Sequence, residues 1–495
     1  MMLARHEDHP LRLFMVTLVV AGLTYGQWLT SFVLNIDGEV PDNFYQTIAL
    51  GRWFHAVLRF GLLPEPFLPY FTNLTSLFVL SAAACLAALT LSLRGYRAVF
   101  FSVLFVTFPN LAYQLEFLNQ ADTFAVGYGL AILSAYLFLC GISAPRRVSQ
   151  YGYLVLAVVL LALALGIYQT LVLVPAVLVA GRLLLQTDEE LIGVSNLRLA
   201  VPFCVYTILA VLLYTAGTAI SQGLIGVDGQ SYFSGYVEGR SFGQYVIGVG
   251  SAFGSSLVGR SAFGFITYIL ATVAAVFLIA KGWKRAVGER VQKALLVVAV
   301  LLLPFAFVLL SGTKLPPRIY VAANLSFAIL LTAATSVLWS RKAVFVLLMC
   351  LCIFHCNAIT RLFVSDKRVR DADIQMASQI ATIIRVKYPT IDLASIPVYF
   401  HGAHTNLAEE KLPGSDIFGS SFFAWDNGND VRIKNFNRYY GIADYRPVGP
   451  EQIKAVEFIL PTLPTWPDAN SIALSNGVVV VKLGAEYGWL PFSIR

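Results

Sequence analysis

The sequence predicts an all-α polytopic membrane protein with a small C-terminal α/β domain, and three observations carry that prediction. Of 495 residues, 57% are hydrophobic and only 13% charged, with a mean hydropathy of +0.71. Soluble domains average roughly 45–50% apolar and 25% charged. Apolar runs long enough to cross hydrocarbon as helices recur along the first three quarters of the chain. From residue 364 onward the composition returns to that of a soluble domain.

A chain this apolar has too little polar surface to coat a water-soluble globule, so the bilayer is its solvent. Soluble enzymes, disordered scaffolds and nucleic-acid readers are excluded. The net charge of +7 and pI near 9.0 do not restore a nucleic-acid reading. Up to Phe363 the chain has 22 Lys/Arg and 14 Asp/Glu; beyond it, 13 and 14. The excess therefore belongs to the membrane part, where cytoplasmic loops collect Lys and Arg.

About eleven spans are expected, over residues 13–34, 74–93, 98–115, 123–142, 151–167, 170–185, 199–220, 263–280, 294–310, 319–338 and 343–363. The run 151–185 is divided at Gly166-Ile167-Tyr168-Gln169, because about 35 residues would overshoot a bilayer and a Tyr-Gln pair suits its surface. No cleavable signal peptide is expected, since the first apolar run is long enough to span. Cys85, Cys140, Cys204, Cys350, Cys352 and Cys356 all lie in apolar runs, without disulfide or zinc spacing, and read as small hydrophobes.

The loops set the orientation. Arg5, Arg12, Arg94, Arg97, Arg146, Arg147, Arg182, Arg198, the cluster from Lys281 to Lys293, Arg341 and Lys342 all fall on one side, which is thereby the cytoplasm. The N-terminus is then inside, and an odd number of spans puts the tail outside. The other side keeps Arg52, Arg59, Arg240, Arg260, Lys314, Arg318 and Arg361. Cations held on the unfavoured side point to an anionic ligand.

The tail, 364–495, reads as a separate domain. Residues 373–387 have amphipathic helical spacing, 396–401 and 478–483 read as strands, and Ser475-Asn476-Gly477 provides hairpin turn chemistry after 471–474.

Candidate site residues lie in the outer loops. Asp37, Glu39 and Asp42 fall within six positions directly after the first span, where lipid-linked and aqueous substrates meet. A carboxylate there can take the proton of an attacking hydroxyl; Asp42, after Pro41, equally suits a helix N-cap. Residues 43–61 read as an amphipathic helix in the membrane interface, with Tyr45, Arg52 and Arg59 at seven-residue spacing and His55 between the arginines. The guanidinium of Arg52 forks onto phosphate oxygens, whereas Arg59 reads as general attraction to anionic lipid. Tyr168 and Gln169 have the chemistry to bind a sugar or phosphate. Lys314-Leu315-Pro316-Pro317-Arg318 is a proline-stiffened turn with two cations. No cluster has the makings of a metal site, and no cofactor is expected.

These features together resemble the GT-C class of polyprenyl-phosphate-sugar glycosyltransferases, and within it the bacteriophage serotype-conversion O-antigen glucosyltransferases. The residues that carry the resemblance are Asn35-Ile36-Asp37-x-Glu39, Gly51-Arg52, Gly166-Ile167-Tyr168-Gln169, Pro317-Arg318 and the stretch from Asp366 to Asp373. The family often has paired acids in the first loop, and Gly38 here occupies the second position, so the base is Asp37 or Glu39. The resemblance implies a bacterial inner-membrane enzyme moving glucose from undecaprenyl-phosphate-glucose to the O-antigen of lipopolysaccharide on the periplasmic face. Transfer would be metal-independent and inverting, with Arg52 and Arg318 stabilising the departing phosphate. A donor-synthesising enzyme and a flippase are the partners implied. A lipid-linked-sugar transporter is the main alternative, but it would place ionisable groups at the midplane; an O-antigen polymerase is the other.

Overall fold

The computed structural model describes residues 10–40, 43–63, 68–186, 196–230, 241–259, 267–282, 287–338 and 340–486. The chain divides into two compact units. One comprises Met1–Phe32, Asp42–Thr360 and Leu412–Asp416; the other comprises Val33–Pro41, Arg361–Lys411 and Ile417–Arg495. The division is therefore not a single cut: the first acidic loop belongs with the tail.

The first unit is helical. Among the described residues, six helices are long and apolar enough to cross a membrane: Pro69–Thr90, Tyr96–Leu115, Ala121–Ile142, Arg147–Leu165, Leu199–Ile225 and Arg341–Lys387. Further apolar helices are shorter, among them Pro10–Thr24, Ile269–Gly282 and Ala323–Leu338. A helix of 15 residues is about 22 Å long against a hydrocarbon core of about 30 Å. The expected run 13–34 breaks at Tyr25 into Pro10–Thr24 and Gly26–Thr30. The run 294–310 becomes Val287–Leu302, a 3-10 turn at Leu303–Phe305 and a short Val308–Ser311 helix, because Pro304 interrupts it. Between the expected spans 199–220 and 263–280 lies a further helix at Phe242–Val258, opened by a Ser241/Gln244 capping box.

Burial ranks these helices. In Tyr96–Leu115, 94% of the apolar window is buried, against 17% in Leu199–Ile225. The former is the centre of the bundle, packed by Pro10–Thr24, Pro69–Thr90 and Ala323–Leu338. The latter shows Val201, Ile208 and Leu212 outward, as a lipid-facing helix does.

The span 343–363 and the amphipathic helix 373–387 are one continuous helix, Arg341–Lys387. No Gly or Pro occurs between these ends, and Pro389 stops the helix beyond Tyr388.

The second unit has a three-stranded sheet of β1 (Val398–His401), β2 (Ile472–Ser475) and β3 (Val478–Lys482), in the order β1-β3-β2. β3 runs parallel to β1 and antiparallel to β2. The hairpin turns on Asn476 and Gly477, both at positive φ (45° and 72°), as a tight primed turn requires. Tyr399, Val478 and Val480 pack on Ile453, Val456 and Leu460. Asp430 pins helix Asp430–Tyr439 to β1 by accepting the Phe400 amide at 3.0 Å.

Within this unit the stretch from Asp366 to Asp373 forms a buried ion cluster. Arg370 meets Asp373 at 3.0 Å and Asp366 at 3.6 Å, and its guanidinium lies 4.2 Å from the centre of the Phe422 ring. Asp373 also accepts from Ser421 and the Phe422 amide. Removing the cation would leave buried carboxylates without a counter-charge, which costs about 3–5 kcal/mol. Arg370→Met should accordingly lower the unfolding free energy of the detergent-purified chain by that amount in a denaturant titration. A loss below about 1 kcal/mol would mean that the cluster is not what holds this unit.

Candidate active site

The segment expected as one interfacial helix over 43–61 folds as three pieces: Phe44–Ala49, Trp53–Val57 and a π-helical turn, Leu58–Leu62. Gly51 makes the break at φ +73°, where a side chain would also run into Tyr214 and Thr218. The second piece starts on the Gly166 turn: the amides of Phe54 and His55 donate to the Gly166 carbonyl at 2.9 and 3.1 Å. A Cβ on Gly166 would come within 2.8 Å of the Trp53 ring. Gln169 donates from Nε2 to the Leu50 carbonyl at 2.7 Å and the Tyr214 hydroxyl at 3.0 Å. Gln169, expected as a sugar or phosphate ligand, uses its amide nitrogen to tie the first loop down.

That scaffold places Arg52. Its guanidinium sits 5.0 Å from the centre of the Tyr168 ring and donates from Nη1 to Gln120 at 3.2 Å. Tyr168 is buried and packs edge-on against Phe124. His55 bonds Thr123 through Nδ1 at 2.7 Å. Burial, with Arg52 and Arg59 nearby, drives its imidazole down to about 3, so it is neutral and no base at physiological pH.

Arg59 contradicts its expected place among lipid headgroups. It is 2% exposed, ion-paired with Asp122, and donates from Nε to the Asn119 carbonyl at 3.1 Å. Arg318, on a 3-10 turn at Pro317–Ile319, pairs with Asp416 at 2.6 Å and lies 5.1 Å from the centre of the Phe117 ring. Gln114 donates to its carbonyl. Lys314 is exposed; partial burial lowers its ammonium below the ordinary range while Asp416 pulls the other way. The structure thus brings Arg52, Arg59 and Arg318 onto one segment, residues 114–123, through Gln120, Asn119, Asp122, Gln114 and Phe117. Nothing local in the sequence of this segment announces a hub.

On this segment and the arginine that Gln120 receives, Arg52 Nε, Gln114 Oε1 and Asn119 Oδ1 are buried without a hydrogen-bond partner among the described residues. Folded proteins leave few such atoms.

In the second unit, Asp37 and Glu39 meet on one residue that sequence reading missed. Arg432 donates from Nη2 to Asp37 Oδ1 at 2.9 Å, from Nη1 to Glu39 Oε1 at 2.5 Å, and from Nε to Asp426 Oδ2 at 2.9 Å. Asn429 caps the helix Asp430–Tyr439 and so fixes Arg432 in its first turn. Asp37 stands at φ +76° with its side chain 53% exposed; the Glu39 side chain is fully buried, and among the described residues its Oε2 has no hydrogen-bond partner. Burial raises the Glu39 carboxyl above the usual range, against the pull of Arg432. Asp42, Arg240 and Arg260 lie outside the described residues. Among the described residues no three His, Cys, Asp or Glu side chains are gathered to hold a metal ion.

Apolar helices long enough to cross a membrane, with a small three-stranded sheet in the second unit, define a helical membrane protein. Residues 26–354 match the family Glucosyl transferase GtrII, and the chain belongs to it. This bears out the resemblance to the serotype-conversion glucosyltransferases. No curated protein and no solved structure matches the chain. The matched residues include Asp37, Glu39, Arg52 and Arg318 and stop short of Arg432.

The Gly166 contact makes a direct test of the scaffold. Gly166→Val should push Trp53–Val57 off the turn and destabilise the protein by about 1–3 kcal/mol, the usual penalty of overpacking. Thermal unfolding in detergent reads that loss; a wild-type melting temperature would show that the turn does not anchor the first loop.

Proposed function

We propose that this glucosyl transferase takes glucose from undecaprenyl-phosphate-glucose and places it on a lipopolysaccharide O-antigen at the periplasmic face of a bacterial inner membrane. Glu39 is the base that deprotonates the acceptor hydroxyl, and the more exposed Asp37 orients that hydroxyl. The acceptor oxygen attacks the anomeric carbon, the bond to the donor phosphate breaks, and configuration inverts. Arg52 receives the developing phosphate charge, with Tyr168 beneath it; Arg318 and Lys314 add positive charge to the same unit. No metal is required where arginine supplies the electrostatic stabilisation. The donor comes from a separate synthesising enzyme and a flippase.

The observation that carries this reading is Glu39: a carboxylate with one oxygen held by a cation, the other without a partner, and a proton affinity raised by burial. A base works best when its pKa approaches the working pH. Periplasmic exposure rests on the charge asymmetry of the loops.

Two measurements test it. Membranes carrying the protein should transfer glucose from the polyprenyl-phosphate donor, and Glu39→Gln should lower the rate by about 10²–10⁴. The wild-type rate should rise with pH through a limb above the ordinary carboxylate range, since the base must lose its proton. Full activity in the Asp37→Asn/Glu39→Gln double variant sinks the catalytic assignment. For orientation, Thr405→Cys should react with an impermeant thiol reagent in intact cells and Ser143→Cys should not, native cysteines having been removed; the reverse pattern overturns the topology.

A further inference from the structure

Arg432 lies outside the matched family region, 393 residues along the chain from Glu39, and yet it is the group on which both first-loop carboxylates converge. Three carboxylates share its one guanidinium: Asp37, Glu39 and Asp426, each through a different nitrogen. The arrangement is stiff at both ends. Arg432 is set by the Asn429 cap, and its helix is held to β1 through Asp430 and Phe400. On the other side, the Leu34 backbone bonds the Tyr440 side chain, from just beyond the end of the same helix.

We infer that Arg432 is the positioning residue of the catalytic carboxylates, and that through it the C-terminal unit sets the pH range in which the enzyme works. This rests on the assignment of Glu39 and Asp37 above. By occupying Glu39 Oε1, Arg432 leaves Oε2 as the oxygen that accepts the acceptor's proton. By gripping Asp37 it holds a non-glycine residue in a left-handed conformation that such residues seldom adopt. Its charge opposes both the burial of Glu39 and the repulsion from Asp37. Asp426, 40% exposed, competes for the same cation and weakens its hold on the pair. The charged groups facing Glu39 are thus Arg432 and Asp37, and those facing Arg432 are Glu39, Asp37 and Asp426.

The sign follows directly. Without the cation the carboxyl keeps its proton to higher pH, so Arg432→Gln moves the acidic limb of kcat/KM upward. At neutral pH the rate should fall about tenfold or more, and most of it should return on the alkaline plateau. Arg432→Lys, which keeps the charge but not the fork, should leave the limb near its wild-type position and lower the plateau. Asp426→Asn removes the competitor and should move the limb the other way.

The measurement is the pH profile of glucose transfer by the full-length protein in membranes, for wild type and these three variants, with undecaprenyl-phosphate-glucose as donor. Opposite displacement of the limb in Arg432→Gln and Asp426→Asn supports the inference. Loss of rate by one factor at every pH in Arg432→Gln, with no displacement, overturns it and makes Arg432 a structural strut. A failure of the underlying assignment looks different: Glu39→Gln and Asp37→Asn would then leave both rate and limb unchanged. If Arg432→Gln does not accumulate, Asp426→Asn alone decides, since an unmoved limb there refutes the coupling.

Discussion

An ionised side chain taken out of water needs a counter-charge within reach, and in a chain with only 13% charged residues that requirement shapes most of what matters here. Three arginines answer it. Arg59 is held by Asp122, Arg370 by Asp373 and Asp366, and Arg432 by Glu39, Asp37 and Asp426. Each pairing closes onto a segment that must then stay put. Arg59 fastens the first loop to the 114–123 hub, Arg370 fixes the long helix against Phe422, and Arg432 collects the acidic loop. Such pairs add little net stability over an apolar core, but breaking one leaves a charge stranded. They therefore act as constraints on arrangement more than as sources of energy.

How much of this was legible in the sequence depends on range. The split at Gly166-Ile167-Tyr168-Gln169 was readable from bilayer thickness and the polarity of the Tyr-Gln pair, and the helix does end at Leu165, with the next beginning at Leu173. The Asn476-Gly477 hairpin was readable from turn chemistry, and its strands lie within a residue or two of expectation. Both are local. The single interfacial helix failed at Gly51, whose positive φ answers to Tyr214 and Thr218, over 160 residues away. The run 341–387 failed in the opposite sense, because a change in composition from apolar to polar was taken as a break where no residue breaks the helix. Composition reports solvent, not helix ends.

The site residues divide in the same way. Asp37, Glu39 and Arg52 could be singled out because charge is conspicuous where apolar or neutral residues are the rule. Arg432 could not: on an exposed-looking amphipathic helix of a soluble tail, one more arginine is unremarkable without the fold. Gln120 and Asn119 are invisible for a related reason, being neutral amides that gain meaning only from the guanidinium groups they receive. Seven-residue spacing puts Arg52 and Arg59 on one face of one helix, and only the difference in their expected chemistry separates them in the sequence. The break at Gly51 and the π-turn separate them, and they end with opposite fates.

Those fates rank the cations. Arg59 is neutralised by Asp122 and Arg318 by Asp416, so neither presents a full positive charge to a ligand. Arg52 meets an aromatic face and a neutral amide, and among the described residues no carboxylate pairs with it. An aromatic face stabilises a guanidinium without cancelling its charge. One buried nitrogen of that group, Nε, still lacks an acceptor. The groups around Arg52 therefore offset its charge only in part. Arg59 thus has its counter-charge within the fold, while among the described residues Arg52 has a ring and an amide in place of one, so two arginines at one spacing end in different electrostatic states.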